Sequence, residues 1–264
     1  MFSTPPTYLT FLAVAVVPVV GALGVRALVR SMATRRWAGV GLMVGVALAY
    51  TTPWDNALVR RGVWWYGEGT VLATVWYAPV GEYLFVSLQA VAVALWLYAV
   101  LDWTGATVPY RFGDVGGYER LGGALAGVAV GGSGVALLAR PSTYYLGAIL
   151  AWSGPVLALQ WGFAPRYLWL RRRTLLAAVG APTAYLCAID RVAIELGIWT
   201  IAPGFTTGVA PGGLPVEEAV FFLLTTLFVV QGLVLLEWVL AGQVEAVLER
   251  VGVDAGTVRA AVER

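Results

Sequence analysis

Apolar residues fall into long runs, separated by short stretches that hold most of the charge. Each run approaches the ~20 residues an α-helix needs to cross the hydrocarbon core of a bilayer. The runs predict seven helices, at about 8–28, 37–51, 79–101, 121–138, 144–163, 175–196 and 215–240. Pro18, Pro155 and Pro182 lie inside three of them. The second run is short. Thr51-Thr52-Pro53-Trp54 is expected to break it, because proline lacks the N–H a helix interior uses. Asp55 would then open a polar, aromatic loop over 55–78. The first run follows no basic segment and is long, so it reads as a retained helix rather than a cleaved signal. The pattern is that of an all-α, polytopic membrane protein.

Between the runs, a basic loop holds Arg26, Arg30, Arg35 and Arg36, and a later one holds Arg166, Arg171, Arg172 and Arg173. The loop over 102–118 carries Asp102, Arg111 and Asp114, whereas 197–214 is uncharged and rich in Gly and Pro. With the N-terminus outside and the C-terminus cytoplasmic, thirteen of the seventeen arginines face inward, as the positive-inside rule favours. Gly123, Gly127 and Gly131 recur at four-residue spacing, a strip that lets another helix approach closely.

One pattern occurs twice. Asp55, Gly62 and Trp64 recur 135 residues on as Asp190, Gly197 and Trp199. Pro79, Glu82 and Phe85 recur 136 residues on as Pro215, Glu218 and Phe221. A repeat of this length means two copies of one structural unit. The expected organisation is a three-helix repeat at 1–104, a linker helix at 119–140, a second three-helix repeat at 143–242 and a cytoplasmic tail at 243–264. A single linker helix leaves both repeats in the same orientation, about an axis along the membrane normal. Both carboxylate groups then lie on the outer side.

Composition narrows the chemistry. There is no His and no Lys, so a retinal Schiff base is excluded and the commonest general base and metal ligand is missing. The lone Cys187 sits in an apolar run, where thiol chemistry is not favoured. No metal site is visible, and no Gly-rich dinucleotide fingerprint precedes a helix. A net charge of +2 gives no reason to expect nucleic acid as a partner. Acid–base work falls to Asp and Glu.

Glu82 and Glu218 each lie three residues into a helix that opens with Pro. A plain reading is an acid in the first turn, favoured by the helix dipole. Against it, ionisable groups near hydrocarbon are expensive and usually face a cavity or a partner. Helical spacing aligns Glu82 with Phe85 and Gln89, and Glu218 with Phe221, Phe222 and Thr225. A carboxyl group beside aromatics in a dry site can hold a proton and deliver it to a substrate. Glu217 has Gly81 as its counterpart, so the copies differ; it either joins the site or faces solvent. Asp55 and Asp190 are either turn or cap residues or second carboxylates facing the glutamates, and Arg191 is positioned to neutralise Asp190. Trp54, Trp64, Trp65, Tyr83, Trp199 and Phe205 are equally suited to be site walls or membrane-interface anchors.

The doubled Pro-x-x-Glu-x-x-Phe helix start, preceded by Asp…Gly-x-Trp, resembles the integral-membrane lycopene cyclase family over residues 5–240. Members of that family occur as two small subunits or as one fused chain, as in halophilic archaea. Gly81 stands where a Pro-x-Glu-Glu form has its first glutamate. The resemblance implies cyclisation of the linear ends of lycopene to β-ionone rings, giving β-carotene by way of γ-carotene. That is an isomerisation by an intramolecular lyase type of enzyme, with no cofactor. It implies Glu82, Glu218, Glu217, Asp55 and Asp190 as catalytic residues, with Glu218 and Glu82 as proton donors. It implies Phe85, Phe221, Phe222, Trp64, Trp199 and Tyr83 as substrate-binding. The expected partners are lycopene, the lipid bilayer and other carotenoid-pathway enzymes, and the expected location is the cell membrane. The alternatives are a cyclase for a different carotenoid end group, a proton-coupled transporter of parallel repeats, and a purely structural or assembly protein.

Overall fold

The computed structural model describes residues 5–105 and 116–250, with side chains as far as residue 242. Arg111 and Asp114, and the tail beyond residue 250, lie outside these residues. The first apolar run forms α1 (Tyr8–Ala15) and α2 (Val17–Val29), and Pro18 falls in the first turn of the second, where a missing N–H does no harm. There follow α3 (Thr34–Arg61), α4 (Val80–Thr104), α5 (Gly117–Leu137), α6 (Tyr144–Phe163), the short α7 (Pro165–Leu170), α8 (Arg172–Glu195) and α9 (Val216–Arg250).

Among the described residues, six helical stretches are long and apolar enough to cross a membrane. The protein is an all-α, multi-pass membrane protein. The expected seventh crossing, α3, is 28 residues long but is not one of the six. Its apolar run gives way to Thr51, Thr52, Pro53 and Trp54.

The expected break at Pro53 does not occur. The helix continues through it to Arg61, so Asp55 is neither a turn residue nor a cap but a buried residue of a helix interior. An apolar bundle tolerates an internal proline because neighbouring helices re-satisfy the freed backbone and hold both sides in place. Here α3 packs along α4, and the Tyr50 hydroxyl donates to the Trp152 carbonyl at 2.7 Å. Asp102, expected in a loop, belongs to α4 and pairs with Arg36 at 2.8 Å and Arg26 at 3.3 Å. These charges gather at the end of the bundle opposite the start of α4.

The two stretches that carry the doubled motif fold alike. α3 and α8 both stop at a glycine in the left-handed region, Gly62 at φ 74° and Gly197 at φ 70°, which a side chain would disfavour. In both, the next N–H turns back onto the helix: Val63 to the Leu58 carbonyl at 3.1 Å, and Ile198 to the Ala193 carbonyl at 3.0 Å. Next come β1 (Trp64–Tyr66) and, in the other copy, β4 (Trp199–Ile201). They pair antiparallel, with Trp64 opposite Ile201, Trp65 opposite Thr200 and Tyr66 opposite Trp199. The offset of 135 converts this register into itself, centred on Trp65 and Thr200. A second short hairpin, β2 (Thr74–Val75) with β3 (Ala78–Pro79), leads into α4. Helix packing repeats too: α3 lies on α4 as α8 lies on α9, and α2 lies on α4 as α6 lies on α9.

α5 stands apart from this pattern and packs chiefly on α6. The glycine strip of α5 is the contact. A Cβ added at Gly127 would run into the backbone of Ala158, and one at Gly134 into that of Ala151. Gly147 and Gly154 of α6 answer from the other side. Gly127→Leu is therefore expected to force the helices apart, with an overpacking penalty of ~1–3 kcal/mol. The melting temperature of the detergent-extracted protein should fall. Gly132→Leu, at a position with nothing within 4 Å of an added Cβ, should leave it unchanged. An equal fall in both variants would refute the contact.

Candidate active site

The helix starts and strand pair described above converge on one cavity of about 50 Å³. Two carboxylates from each copy line it: Asp55 near the end of α3, Glu82 in the first turn of α4, Asp190 near the end of α8 and Glu218 in the first turn of α9. Trp64, Trp199, Phe85, Phe221 and Phe222 complete much of the wall. Asp55, Asp190 and Glu218 are buried, and Glu82 is half-buried. Among the described residues, no arginine lines the cavity. Arg191 turns away from Asp190; it pairs with Glu195 and donates to the Gly212 carbonyl at 2.8 Å. Clustered carboxylates without a cation are left to share protons. Among the described residues, no three His, Cys, Asp or Glu side chains come together as a metal site.

The four acids are held differently. The Tyr66 hydroxyl donates to Glu82 Oε1 at 2.6 Å, and the Trp64 indole N–H donates to Tyr66 Oη at 2.9 Å. Burial, and after it the neighbouring Glu82 carboxyl, pushes the Tyr66 hydroxyl well above the ordinary phenol range, so it stays a donor. In the other copy, the Trp199 indole N–H donates directly to Asp190 Oδ1 at 3.0 Å. Asp190 Oδ2 and Glu218 Oε1 are buried and have no hydrogen-bond partner among the described residues. Tyr8, opening α1, flanks Glu82, and Tyr145, in the first turn of α6, flanks Glu218.

The aromatics cross between the copies. Trp199 packs on Tyr8, centroids 4.9 Å apart, and Trp64 packs on Tyr145 at 5.7 Å. Trp54 stacks on Phe221 at 5.6 Å and 6° between planes, and Phe85 meets Phe222 edge-on at 6.1 Å.

Two expected site residues lie elsewhere. Glu217 does not line the cavity, nor does it face solvent: it is fully buried, and its Oε1 accepts the Thr207 N–H at 2.7 Å, which ties down the loop before α9. Its counterpart Gly81 could not carry a side chain, because a Cβ there would lie 2.5 Å from the Tyr8 ring. Tyr83 also points away from the cavity; its hydroxyl donates to the Val75 carbonyl at 2.8 Å and accepts from Asn56 Nδ2 at 3.0 Å. Asn56 Oδ1 in turn accepts the Tyr77 and Ala78 N–H groups, so this pair shapes the loop into α4. Sequence reasoning missed Tyr8 and Tyr145. Their signal was present, because each opens the first helix of a copy, but it lies far in sequence from the doubled motif.

A larger groove of about 360 Å³ adjoins the cavity and shares Thr51, Val86 and Phe221 with it. It runs down the bundle between α3, α4, α6 and α9 with an almost wholly apolar lining.

The chain has relatives among known proteins. No family model matches the chain, and no solved structure does. The chain is 52% identical over 237 residues to a lycopene β-cyclase of Halobacterium salinarum, covering 89% of this chain and 98% of that one. It is 31% identical over 211 residues to a bifunctional lycopene cyclase/phytoene synthase of Aspergillus oryzae, and 33% over 203 residues to one of Leptosphaeria maculans. It spans 35% of each of those fungal proteins. On the match to the full length of the haloarchaeal enzyme, together with the fungal cyclases, the chain belongs to the lycopene β-cyclase family.

Proposed function

We infer that this protein converts the linear ends of lycopene into β-ionone rings, giving β-carotene by way of γ-carotene, in a single active centre shared by both halves of the chain. The observation that carries the reading is the one cavity in which two carboxylates from each copy meet an aromatic wall. Cyclisation is an isomerisation. A proton adds to the terminal alkene, the internal alkene attacks the tertiary cation, and a proton leaves the new ring. The reaction needs an acid, a base, faces for a carbocation, and no water. Carboxylates can act as acid and base without His or Lys. Aromatic faces stabilise a desolvated cation by ~2 kcal/mol each. Closure against water keeps the cation from being trapped.

Glu218 and Glu82 are the proton donors in this reading, with Asp190 and Asp55 as base or support; among the described residues Glu218 Oε1 and Asp190 Oδ2 are buried with no hydrogen-bond partner. Glu82, held by Tyr66, and Asp55 come from the other copy. Glu217 is a loop anchor. The cavity of about 50 Å³ is far below the ~300 Å³ at which ligand pockets begin. The adjoining groove of about 360 Å³ supplies the room a ring and its chain require.

The same reading takes residues 1–104 and 143–242 as parallel repeats. The self-matching strand register and the repeated helix packing support it. α3 is then the seventh crossing, the N-terminus lies outside and the C-terminus in the cytoplasm. The Arg26–Arg36–Asp102 cluster, at the end opposite the acids, supports that orientation.

Glu218→Gln should lower cyclised product by ~10²–10⁴, the range removed with a general acid, in a bacterial host that accumulates lycopene. The protein should reach the membrane at the normal level, and normal ring formation in this variant would overturn the assignment. Glu217→Gln keeps an oxygen to accept the Thr207 N–H, so pigment analysis should show product within tenfold of the unaltered protein. A loss as deep as that of Glu218→Gln would return Glu217 to the chemistry.

A further inference from the structure

The larger groove has a smaller counterpart. A second apolar groove, of about 180 Å³, lies across the bundle between α1–α2, α4 and α8. The offset of 135 or 136 carries every residue lining it onto a residue lining the larger groove. Ala181 and Tyr185 fall on Val46 and Tyr50, while Leu23 and Trp96 fall on Leu159 and Gly232. Between the grooves the equivalent residues Gln89 and Thr225 meet each other, Gln89 Nε2 donating to Thr225 Oγ1 at 2.7 Å. Gln89 lines both grooves and forms the partition.

The two grooves differ where it matters. Only the larger one reaches the acid cavity, through Thr51, Val86 and Phe221. On the other side the equivalent positions are Leu186, Phe222 and Phe85, all buried, and the smaller groove shares no lining residue with the cavity. Leu in place of Thr and Phe in place of Val fill the passage. Trp96 in place of Gly232 shortens the groove as well. A pocket of about 360 Å³ is in the usual range for a ligand site, which begins near ~300 Å³, and one of about 180 Å³ is not. The lips of the larger groove, Val46 and Leu159, are exposed on the flank of the bundle, where a membrane protein meets lipid.

We propose that the groove between α3, α4, α6 and α9 is the binding site for the linear polyene, entered sideways from the bilayer, and that its counterpart is closed to substrate. One end of the polyene passes Val86 and Phe221 to the carboxylates, and the rest lies along Tyr50, Trp152 and Phe228. The site therefore admits one end of the molecule at a time. This rests on the cyclase reading above.

The matched lip positions give the test. Val46→Trp and Ala181→Trp place the same bulk at equivalent, exposed sites of the two grooves. Each is expressed in a lycopene-accumulating host, and each is also combined with Glu218→Gln to read lycopene retained on the purified, non-cyclising protein. The expected result is at least a tenfold loss of ring formation and of retained lycopene for Val46→Trp, and less than a twofold change for Ala181→Trp. Equal losses in both, loss only in Ala181→Trp, or no loss in either would overturn the proposal. If Val46→Trp does not reach the membrane, Leu159→Trp against Leu23→Trp repeats the comparison on the opposite lip, with the same outcomes decisive. Retained lycopene is read without turnover. Failure of the cyclase reading shows as an inactive unaltered protein, whereas failure of the groove shows as the wrong variant losing its lycopene.

Discussion

Four carboxylates in one apolar bundle, with no arginine among the described residues that line their cavity, must be surrounded by groups that tolerate an acid, and much of this end of the molecule serves that need. Hydrocarbon alone would make such groups expensive. The surroundings are instead donors with apolar bodies: the Trp199 and Trp64 indoles and the Tyr66 phenol, which offer an N–H or O–H without adding charge. Trp199 and Tyr66 must be delivered to their acids, and Trp64 to Tyr66. The β1–β4 ladder delivers Trp64, Tyr66 and Trp199, and the left-handed glycines at 62 and 197 let α3 and α8 turn into it. Loss of that turn would leave Glu82 and Asp190 without their donors.

The two stretches that carry the doubled motif fold alike but hold their acids differently. Glu82 accepts from Tyr66, while Glu218 has Tyr145 beside it. Asp190 has an indole donor, but the equivalent indole, that of Trp64, goes to Tyr66 instead. One flank of the bundle is open to the cavity and the other is plugged by Leu186 and Phe222. Symmetry brings four acids to one place, and small departures from it give them different surroundings.

Much of this was legible in the sequence for physical reasons. Apolar runs of bilayer length announced the helices, and the doubled motif named the cavity carboxylates because spacing along a helix fixes which residues share a face. That both sets meet in one cavity was not legible, since it depends on a strand pair between segments 135 residues apart. Pro53 misled because a helix packed in a bundle withstands a proline that would end an isolated one. Tyr83 and Glu217 misled because each sits within a turn of a true cavity residue yet points to a loop.

The contact between Tyr8 and Gly81 limits how alike the two helix starts can be. A glutamate at position 81 would match the Glu217–Glu218 pair of the other motif, but its Cβ would lie 2.5 Å from the Tyr8 ring, which also packs on Trp199. A side chain at position 81 would have to displace Tyr8, on which Trp199 of the other half packs. The difference between the two helix starts is therefore set by packing, and position 81 alone is not free to remove it.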